Sequence, residues 1–230
     1  MKKLILLTFL FSFNTLAFDG YHIEGREETI NHFVAEGVPE TPLVEAMDFF
    51  ERKSHLLSNQ RFITIGDFSQ SSREKRLYIM DLQTGELQRE YVAHGSGRNR
   101  IGFPNGDRNH DGYLDKCMHS KFSRRIRLVK HRRFGMTRPG FMRVDSTYFS
   151  SKFNYNSMEG HNAIRLTGLE SSSSDVRPNA VVFHEADYVK NYSKIQGRTL
   201  GCPAIAVGRM KTVLPKIKGG SLYYSYVPQC

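Results

Sequence analysis

Several classes of protein are excluded by what this sequence has little of. Its 230 residues include three cysteines, too few for the disulfide-dense scaffold of a small secreted domain. Eight prolines and 19 glycines exclude a collagen-like or low-complexity chain. Tryptophan is absent, which by itself decides nothing. Hydrophobic residues make up 39% of the chain and aromatic residues 12%, so the sequence predicts a packed core rather than a mainly disordered chain.

The first 17 residues have the layout of a cleavable signal peptide. Lys2 and Lys3 form a charged start, an apolar run covers residues 4–13, and Ala17 supplies a small residue at the expected cleavage position. A membrane anchor is the alternative, but this run is too short for a helix that spans a hydrocarbon core of about 30 Å. We therefore expect cleavage after Ala17 and an exported protein with no membrane span.

The chain carries an excess of positive charge. Its 33 Lys and Arg outnumber 23 Asp and Glu, which gives a formal net charge of +10. An exported basic protein meets anionic glycans, lipid head groups or wall polymers more often than nucleic acid. The densest basic run, residues 121–133, lacks the aromatic stacking pattern of RNA-binding proteins, so we expect no nucleic-acid partner. The run is interpreted as a solvated edge or loop, or as a contact for an anionic polymer.

Apolar periodicity predicts many short strands and few helices. Residues 18–40 show little periodicity and are interpreted as a lead-in segment or tether. The predicted domain covers residues 41–230 and contains a polar, basic insertion at 98–135. We predict helices at 42–57, 187–195 and 208–217. We predict strands at 61–65, 76–82, 87–93, 141–145, 163–166, 180–184 and 221–227. This pattern favours a mostly β fold, either a β-sandwich or a closed sheet with a few short helices.

Cys202 has the most informative surroundings of the three cysteines. Gly201 before it allows the backbone to approach a ligand closely and can present N–H groups to an oxyanion. Arg198 is near enough in sequence to favour a thiolate or to bind a substrate carboxylate. His184 ends an apolar strand, where it can accept the proton of a nearby thiol. The residues alone also allow a small buried cysteine and a structural histidine.

The order of these residues resembles the murein L,D-transpeptidase catalytic domain family, a branch of the YkuD-type L,D-transpeptidases. His184 is followed after 14 residues by Thr199, then by Gly201 and Cys202, similar to the family's His and Ser/Thr-x-Gly-Cys elements. Six segments keep the family's order between about residues 43 and 227. These segments are residues 76–82, 92–97, 164–170, 180–188, 201–204 and 218–222.

The resemblance implies a β-rich domain in which Cys202 is the nucleophile and His184 is the general base. It also implies that the N–H groups near Gly201 and Cys202 are the oxyanion donors and that Thr199 and Arg198 shape the loop. Such enzymes attack an L-to-D peptide bond in a peptidoglycan stem peptide and pass the resulting thioester to an amine or to water. A thiolate needs no metal or organic cofactor for this chemistry. We expect an L,D-transpeptidase or an L,D-carboxypeptidase, monomeric, in the periplasm or cell envelope.

Some positions depart from the family pattern or keep two interpretations open. Glu185 stands where relatives often have glycine, Leu200 stands where many have a polar or aromatic residue, and residues 97–140 do not match the family's usual stretch. His94 is either a second polar group of the cleft or a residue that closes a turn. Tyr188 either contacts substrate or belongs to the core. The alternative class is a non-catalytic wall-binding or calcium-binding envelope protein of the same fold.

An acidic stretch in the insertion matches the first nine positions of an EF-hand-type loop. Oxygen-bearing side chains alternate, a glycine occupies the sixth position and a hydrophobic residue the eighth. The candidate calcium ligands are Asp107, Asn109, Asp111, the carbonyl of Tyr113 and Asp115. Met118 at the twelfth position supplies no bidentate carboxylate, and a solvated acidic turn is the alternative. We expect weak binding of a structural calcium ion, with a Kd of about 10⁻⁴–10⁻³ M.

The two other cysteines are candidates for a disulfide. If Cys202 stays free for catalysis, Cys117 and Cys230 are left to pair in an oxidising compartment. Two unpaired thiols are the alternative.

Overall fold

The computed structural model describes residues 25–95, 106–107, 109–117, 135–153, 163–197, 199–228 and 230. The predicted signal peptide, the basic run at 121–133, Met118 and Arg198 lie outside these described residues. Within the described ranges, no helix is both long enough and apolar enough to cross a membrane.

The described part of the chain folds into eight strands and three α-helices. The helices are α1 (Arg26–Ala35), α2 (Glu40–Lys53) and α3 (Met210–Ile217). The strands are β1 (Phe62–Asp67), β2 (Leu77–Asp81), β3 (Leu87–Glu90), β4 (Gly140–Tyr148), β5 (Ala163–Gly168), β6 (Val182–Ala186), β7 (Ala204–Ala206) and β8 (Ser221–Tyr226). Short 3-10 turns occupy Ser54–Leu56 and Ser151–Phe153.

All eight strands belong to one sheet, in the order β3-β2-β1-β8-β4-β5-β6-β7. The β1–β8 and β6–β7 pairs are parallel and the other pairs are antiparallel. Ala93, just after β3, donates its N–H to the carbonyl of Ala204 in β7 at 2.9 Å. Because this bond joins the two edges, the sheet is nearly closed. The prediction of a mostly β fold with few short helices is confirmed.

Strands β1 and β2 are buried on both faces of the sheet, which explains why both are largely apolar. Successive side chains of a strand point to opposite faces, so in β1 Ile63 and Ile65 join one apolar cluster while Phe62 joins the other. Helices α1 and α2 cover the first cluster, and α3 packs against the second. A strand buried on both sides reads as an apolar run rather than as an alternating one.

Part of residues 18–40, the segment interpreted as a lead-in or tether, forms helix α1. Ile30 and Phe33 of α1 are buried in the same cluster as α2. The guanidinium of Arg26 also lies 2.5 Å from the carboxylate of Asp48 in α2. Two buried apolar residues three positions apart make a weak periodic signal in a ten-residue helix, so the sequence did not reveal it.

The helix predicted at 187–195 does not form, and turns and bends take its place. The side-chain amide of Gln196 explains this difference. Its Oε1 accepts the N–H of Lys190 at 2.7 Å, and its Nε2 donates to the carbonyl of Tyr192 at 3.0 Å. These backbone groups therefore bond to a side chain rather than to one another along a helix. The three-residue strand β7 was not predicted, since its run is too short to give a pattern.

The structure joins Cys117 to Cys230 in a disulfide, with Cα atoms 6.1 Å apart and a sequence separation of 113. A bridge that closes so long a loop restricts the unfolded chain strongly. We expect Cys117→Ser to lower the free energy of unfolding by about 2–4 kcal/mol, measured by urea denaturation. A reductant should destabilise the parent by a similar amount and leave Cys117→Ser unchanged. A bridge to Cys202 in non-reduced peptide maps would contradict this pairing.

Candidate active site

Cys202 and His184 line one cleft because their strands are neighbours. Cys202 lies two residues before β7, and β7 pairs in parallel with β6, which places His184 opposite Ala204. The N–H of His184 also donates to the carbonyl of Pro203 at 3.3 Å. Both side chains line a cleft of about 810 Å³. The structure therefore brings the predicted nucleophile and the predicted base together.

His184 is held as a neutral imidazole with one nitrogen available to accept a proton. Its Nδ1 lies 2.7 Å from the carbonyl oxygen of Glu185. Since a carbonyl only accepts, Nδ1 carries the hydrogen and Nε2 is the acceptor. Burial lowers the pKa of His184 to about 4, although the Glu185 carbonyl acts in the opposite direction. The ring of Phe153 stacks on the imidazole with centroids 3.8 Å apart, which restricts its orientation.

The thiol of Cys202 is neutral at rest and depends on a base. Burial raises the pKa of Cys202, and two neighbours oppose this: the N–H of Val182, which donates to Sγ at 3.4 Å, and the positive charge of Arg138. Arg138 is itself buried and paired with Asp175 at 3.1 Å. A neutral thiol beside a neutral imidazole suits a mechanism in which the imidazole removes the proton as the bond forms.

Thr199 stabilises the loop that carries Cys202 through two hydrogen bonds of its hydroxyl group. Its Oγ1 donates to the carbonyl of Cys202 at 2.7 Å and accepts the N–H of Gly201 at 2.9 Å. The resemblance implied the N–H groups near Gly201 and Cys202 as oxyanion donors, and of these the N–H of Gly201 is bound to Thr199. An oxyanion therefore needs another donor from this loop, or the hydrogen bond from the N–H of Gly201 to Oγ1 of Thr199 must break.

Gly201 has a backbone conformation that favours glycine. Its φ is +105°, and a Cβ there would approach the carbonyl oxygen of Met136 to 2.6 Å. We expect Gly201→Ala to destabilise the protein by about 1–3 kcal/mol and to displace the Cys202 loop. Gly208→Ala is the matched control, because Gly208 has φ +88° with nothing within 4 Å of an added Cβ. Thermal melts and Cys202 alkylation rates test this. Equal effects of the two substitutions would contradict a role for the Met136 contact.

The two other predicted cleft residues, Tyr188 and His94, lie in different places. Tyr188 lines the cleft with its ring partly exposed, and it lies on a turn. His94 is 1% exposed and is not among the cleft-lining residues described. Its Nδ1 is 2.8 Å from Nη2 of Arg76, in a buried cluster beside the loop. His94 is therefore part of the scaffold around the loop rather than of the cleft wall.

Sequence reasoning missed several residues of the cleft wall. They come from the segment just before β4, from the end of β4 and the 3-10 turn after it, and from the segment before β6. They are Arg138, Tyr148, Phe149, Lys152, Phe153 and Asn179. No local pattern marks these residues, because only the pairing of β4, β5 and β6 brings them to Cys202.

The acidic loop is organised by hydrogen bonds among its own groups. Oδ1 of Asp107 accepts the N–H of Asp111 at 3.1 Å, and Nδ2 of Asn109 donates to Oδ2 of Asp111 at 2.7 Å. The N–H of Tyr113 donates to Oδ1 of Asp111 at 2.9 Å, and the N–H of Asp115 donates to the carbonyl of Gly106. In the described ranges, no group of three or more His, Cys, Asp or Glu residues is arranged to hold a metal ion. The calcium site stays a prediction from sequence.

If the acidic loop binds calcium, Ca²⁺ should raise the free energy of unfolding by a measurable amount. With a Kd of about 10⁻⁴–10⁻³ M, about 10 mM Ca²⁺ adds roughly 1–3 kcal/mol to the free energy of unfolding. The Tm should therefore rise by several degrees in thermal melts. Asp111→Ala is expected to lose the shift, and Mg²⁺ at the same concentration serves as the control. A parent Tm that Ca²⁺ leaves unchanged, with no heat in calorimetry, would contradict the site.

The chain is similar to a known domain family and to solved structures. The sequence model of the L,D-transpeptidase catalytic domain matches residues 35–226. No curated protein matches the chain. Similar solved structures include Bd1075 from Bdellovibrio bacteriovorus, at 13% identity and a TM-score of 0.38, covering 76% of this chain and 50% of that one. An L,D-transpeptidase from Xylanimonas cellulosilytica is similar at 10% identity and a TM-score of 0.33. The match covers 74% of this chain and 62% of that one. The extent of the domain match shows that this chain belongs to the L,D-transpeptidase catalytic domain family.

Proposed function

We propose that the protein is an exported cysteine L,D-transpeptidase that acts on the stem peptides of peptidoglycan. The observation that carries this proposal is the cleft shared by the free thiol of Cys202 and the neutral imidazole of His184. Family membership supports acyl transfer to or from a cell-wall peptide. A periplasmic or envelope location is supported by the signal-peptide layout of residues 1–17 and by the cell-wall substrates of this family.

In the proposed first half-reaction, Nε2 of His184 takes the proton of Cys202 as Sγ attacks the carbonyl carbon of an L-to-D peptide bond. The N–H of Val182 and the charge of Arg138 favour the developing thiolate. The C–N bond then breaks, His184 returns the proton to the leaving amine, and the terminal D-residue departs. Cys202 is left as a thioester with the remaining stem peptide.

The second half-reaction transfers this acyl group to an acceptor amine. The nitrogen of the acceptor amine attacks the thioester carbon while His184 takes a proton from that amine. His184 then returns the proton to Sγ as the C–S bond breaks. Transfer to water by the same steps gives L,D-carboxypeptidase activity. The positive net charge of the chain favours an anionic wall polymer as the source of both peptides.

Incubation of the mature protein with purified tetrapeptide muropeptides, followed by mass spectrometry, tests this function. A transpeptidase releases the terminal D-residue and forms cross-linked dimers. A carboxypeptidase releases the same residue but yields only tripeptides. If the muropeptides stay intact and the protein binds to sacculi, the proposed enzymatic activity is contradicted and a wall-binding protein of the same fold is favoured.

A further inference from the structure

Arg76 is a fully buried arginine whose hydrogen bonds go to neutral groups. It lies next to the start of β2, and its guanidinium donates to the carbonyls of Val92, Gln70 and Gly112 at 2.6–3.4 Å. The same group lies 2.8 Å from Nδ1 of His94. Losing any of these acceptors would leave a buried donor unsatisfied, which is costly. Arg76 therefore has little freedom to move, and the groups that it binds are fixed with it.

These contacts determine how the His94 ring is protonated. Arginine has only donors, so Nδ1 of His94 accepts and the ring hydrogen lies on Nε2. Nε2 is 3.5 Å from Oδ2 of Asp107, which is also buried. The ring is therefore held between a cation on one side and a carboxylate on the other.

The backbone around His94 is bonded to the chain on both sides of Cys202. The carbonyl of His94 accepts the N–H of Thr199 at 2.9 Å, and Ala93 donates its N–H to the carbonyl of Ala204 at 2.9 Å. Thr199 in turn donates to the carbonyl of Cys202. Arg76 thus holds the side chain of His94, and the backbone at residues 93–94 holds the segment that carries the nucleophile.

We propose that His94, fixed by Arg76, is a positioning residue that holds the Cys202 loop in the register in which the thiol reaches His184. This inference rests on the proposed function only in requiring that Cys202 and His184 act as a pair. A displacement of about 1 Å is enough to cost up to about a hundredfold in rate, so small movements of the loop are readily measured.

The test is a double-mutant cycle on the alkylation of Cys202 by iodoacetamide, which needs no knowledge of the substrate. Cys202 is the single free cysteine of the chain, so the reaction reports on this site alone. Rates are measured from pH 5 to pH 10 for the parent, His184→Ala, His94→Leu and the double variant. His94→Asn keeps an oxygen acceptor for Arg76. His32→Leu is the control, because His32 lies in α1 and the substitution removes a hydrogen bond to the carbonyl of Gly85, outside this network.

We expect His184→Ala to slow alkylation at neutral pH by tenfold or more in the parent and by less than twofold in His94→Leu. His94→Asn should keep at least half of the parent's His184 effect, and His32→Leu should keep all of it. If His94→Leu does not fold, Arg76→Lys takes its place in the same cycle, since it keeps the charge but loses the forked guanidinium.

Two results would count against the inference, and they differ from a failure of the proposed function. The full His184 effect in a folded His94→Leu or Arg76→Lys protein would show that the loop does not depend on this network. An equal loss in His32→Leu would show general destabilisation instead. A parent in which His184→Ala changes nothing would overturn the Cys202–His184 pair itself, and with it the proposed function.

Discussion

Cys202→Ala is expected to abolish the conversion of muropeptides while the protein remains folded. The proposed reaction needs a nucleophile at this position, and the two other cysteines are joined to each other. The half-buried thiol makes one hydrogen bond through sulfur, with the N–H of Val182. Removal of one atom from such a site costs only about 1 kcal/mol of stability, so loss of activity cannot be attributed to unfolding.

Mass spectrometry of the muropeptide products measures this effect, and a thermal melt of the same sample checks the fold. Intact-protein mass spectrometry should also show a thioester adduct in the parent and none in Cys202→Ala. Cys202→Ser is the matched control, because it keeps the size of the side chain but supplies a much weaker nucleophile. Turnover by Cys202→Ala at the parent's rate would refute the mechanism.

His184→Gln is expected to lower the rate by about 10²–10⁴-fold, because the neutral thiol loses its proton acceptor. Glutamine retains most of the volume of the ring but is not basic. In the parent, the rate should fall as pH decreases through about 4, where His184 becomes protonated. This acidic limb should be absent from the residual activity of His184→Gln.

The same histidine makes the stability of the protein depend on pH. Its pKa is about 4 in the folded chain and 6.5 in an unfolded one, so between these values the unfolded chain binds a proton that the folded chain does not. The free energy of unfolding therefore falls as pH falls from 6.5 to 4, by about 3 kcal/mol. Urea denaturation at pH 7, 5.5 and 4.5 measures this slope.

The histidine control for this slope is His55, whose side chain is exposed. His184→Gln should remove most of the dependence on pH between 6.5 and 4, whereas His55→Gln should preserve it. An identical slope in the parent and in His184→Gln would mean that the pKa of His184 is not lowered by burial.

The order of residues along the chain was sufficient to predict the family and the fold class. Strands β1, β2, β5 and β8 carry apolar, β-branched or aromatic runs that can be recognised without knowledge of their neighbours, and each was predicted within a few residues. Cys202 and His184 were chosen because a glycine, a threonine and a fixed spacing accompany them. Their chemical roles stay predictions until the variants above are measured.

Contacts between distant parts of the chain decided the rest. Closure of the sheet depends on Ala93 meeting Ala204, and the location of His94 depends on Arg76. Local periodicity reports only on neighbours along the chain, so neither contact leaves a pattern in the sequence. Burial acts in the same way: the sequence determined that a cysteine and a histidine are present, but only the packed structure raises the pKa of the thiol and lowers the pKa of the imidazole, because burial disfavours the charged form of each group.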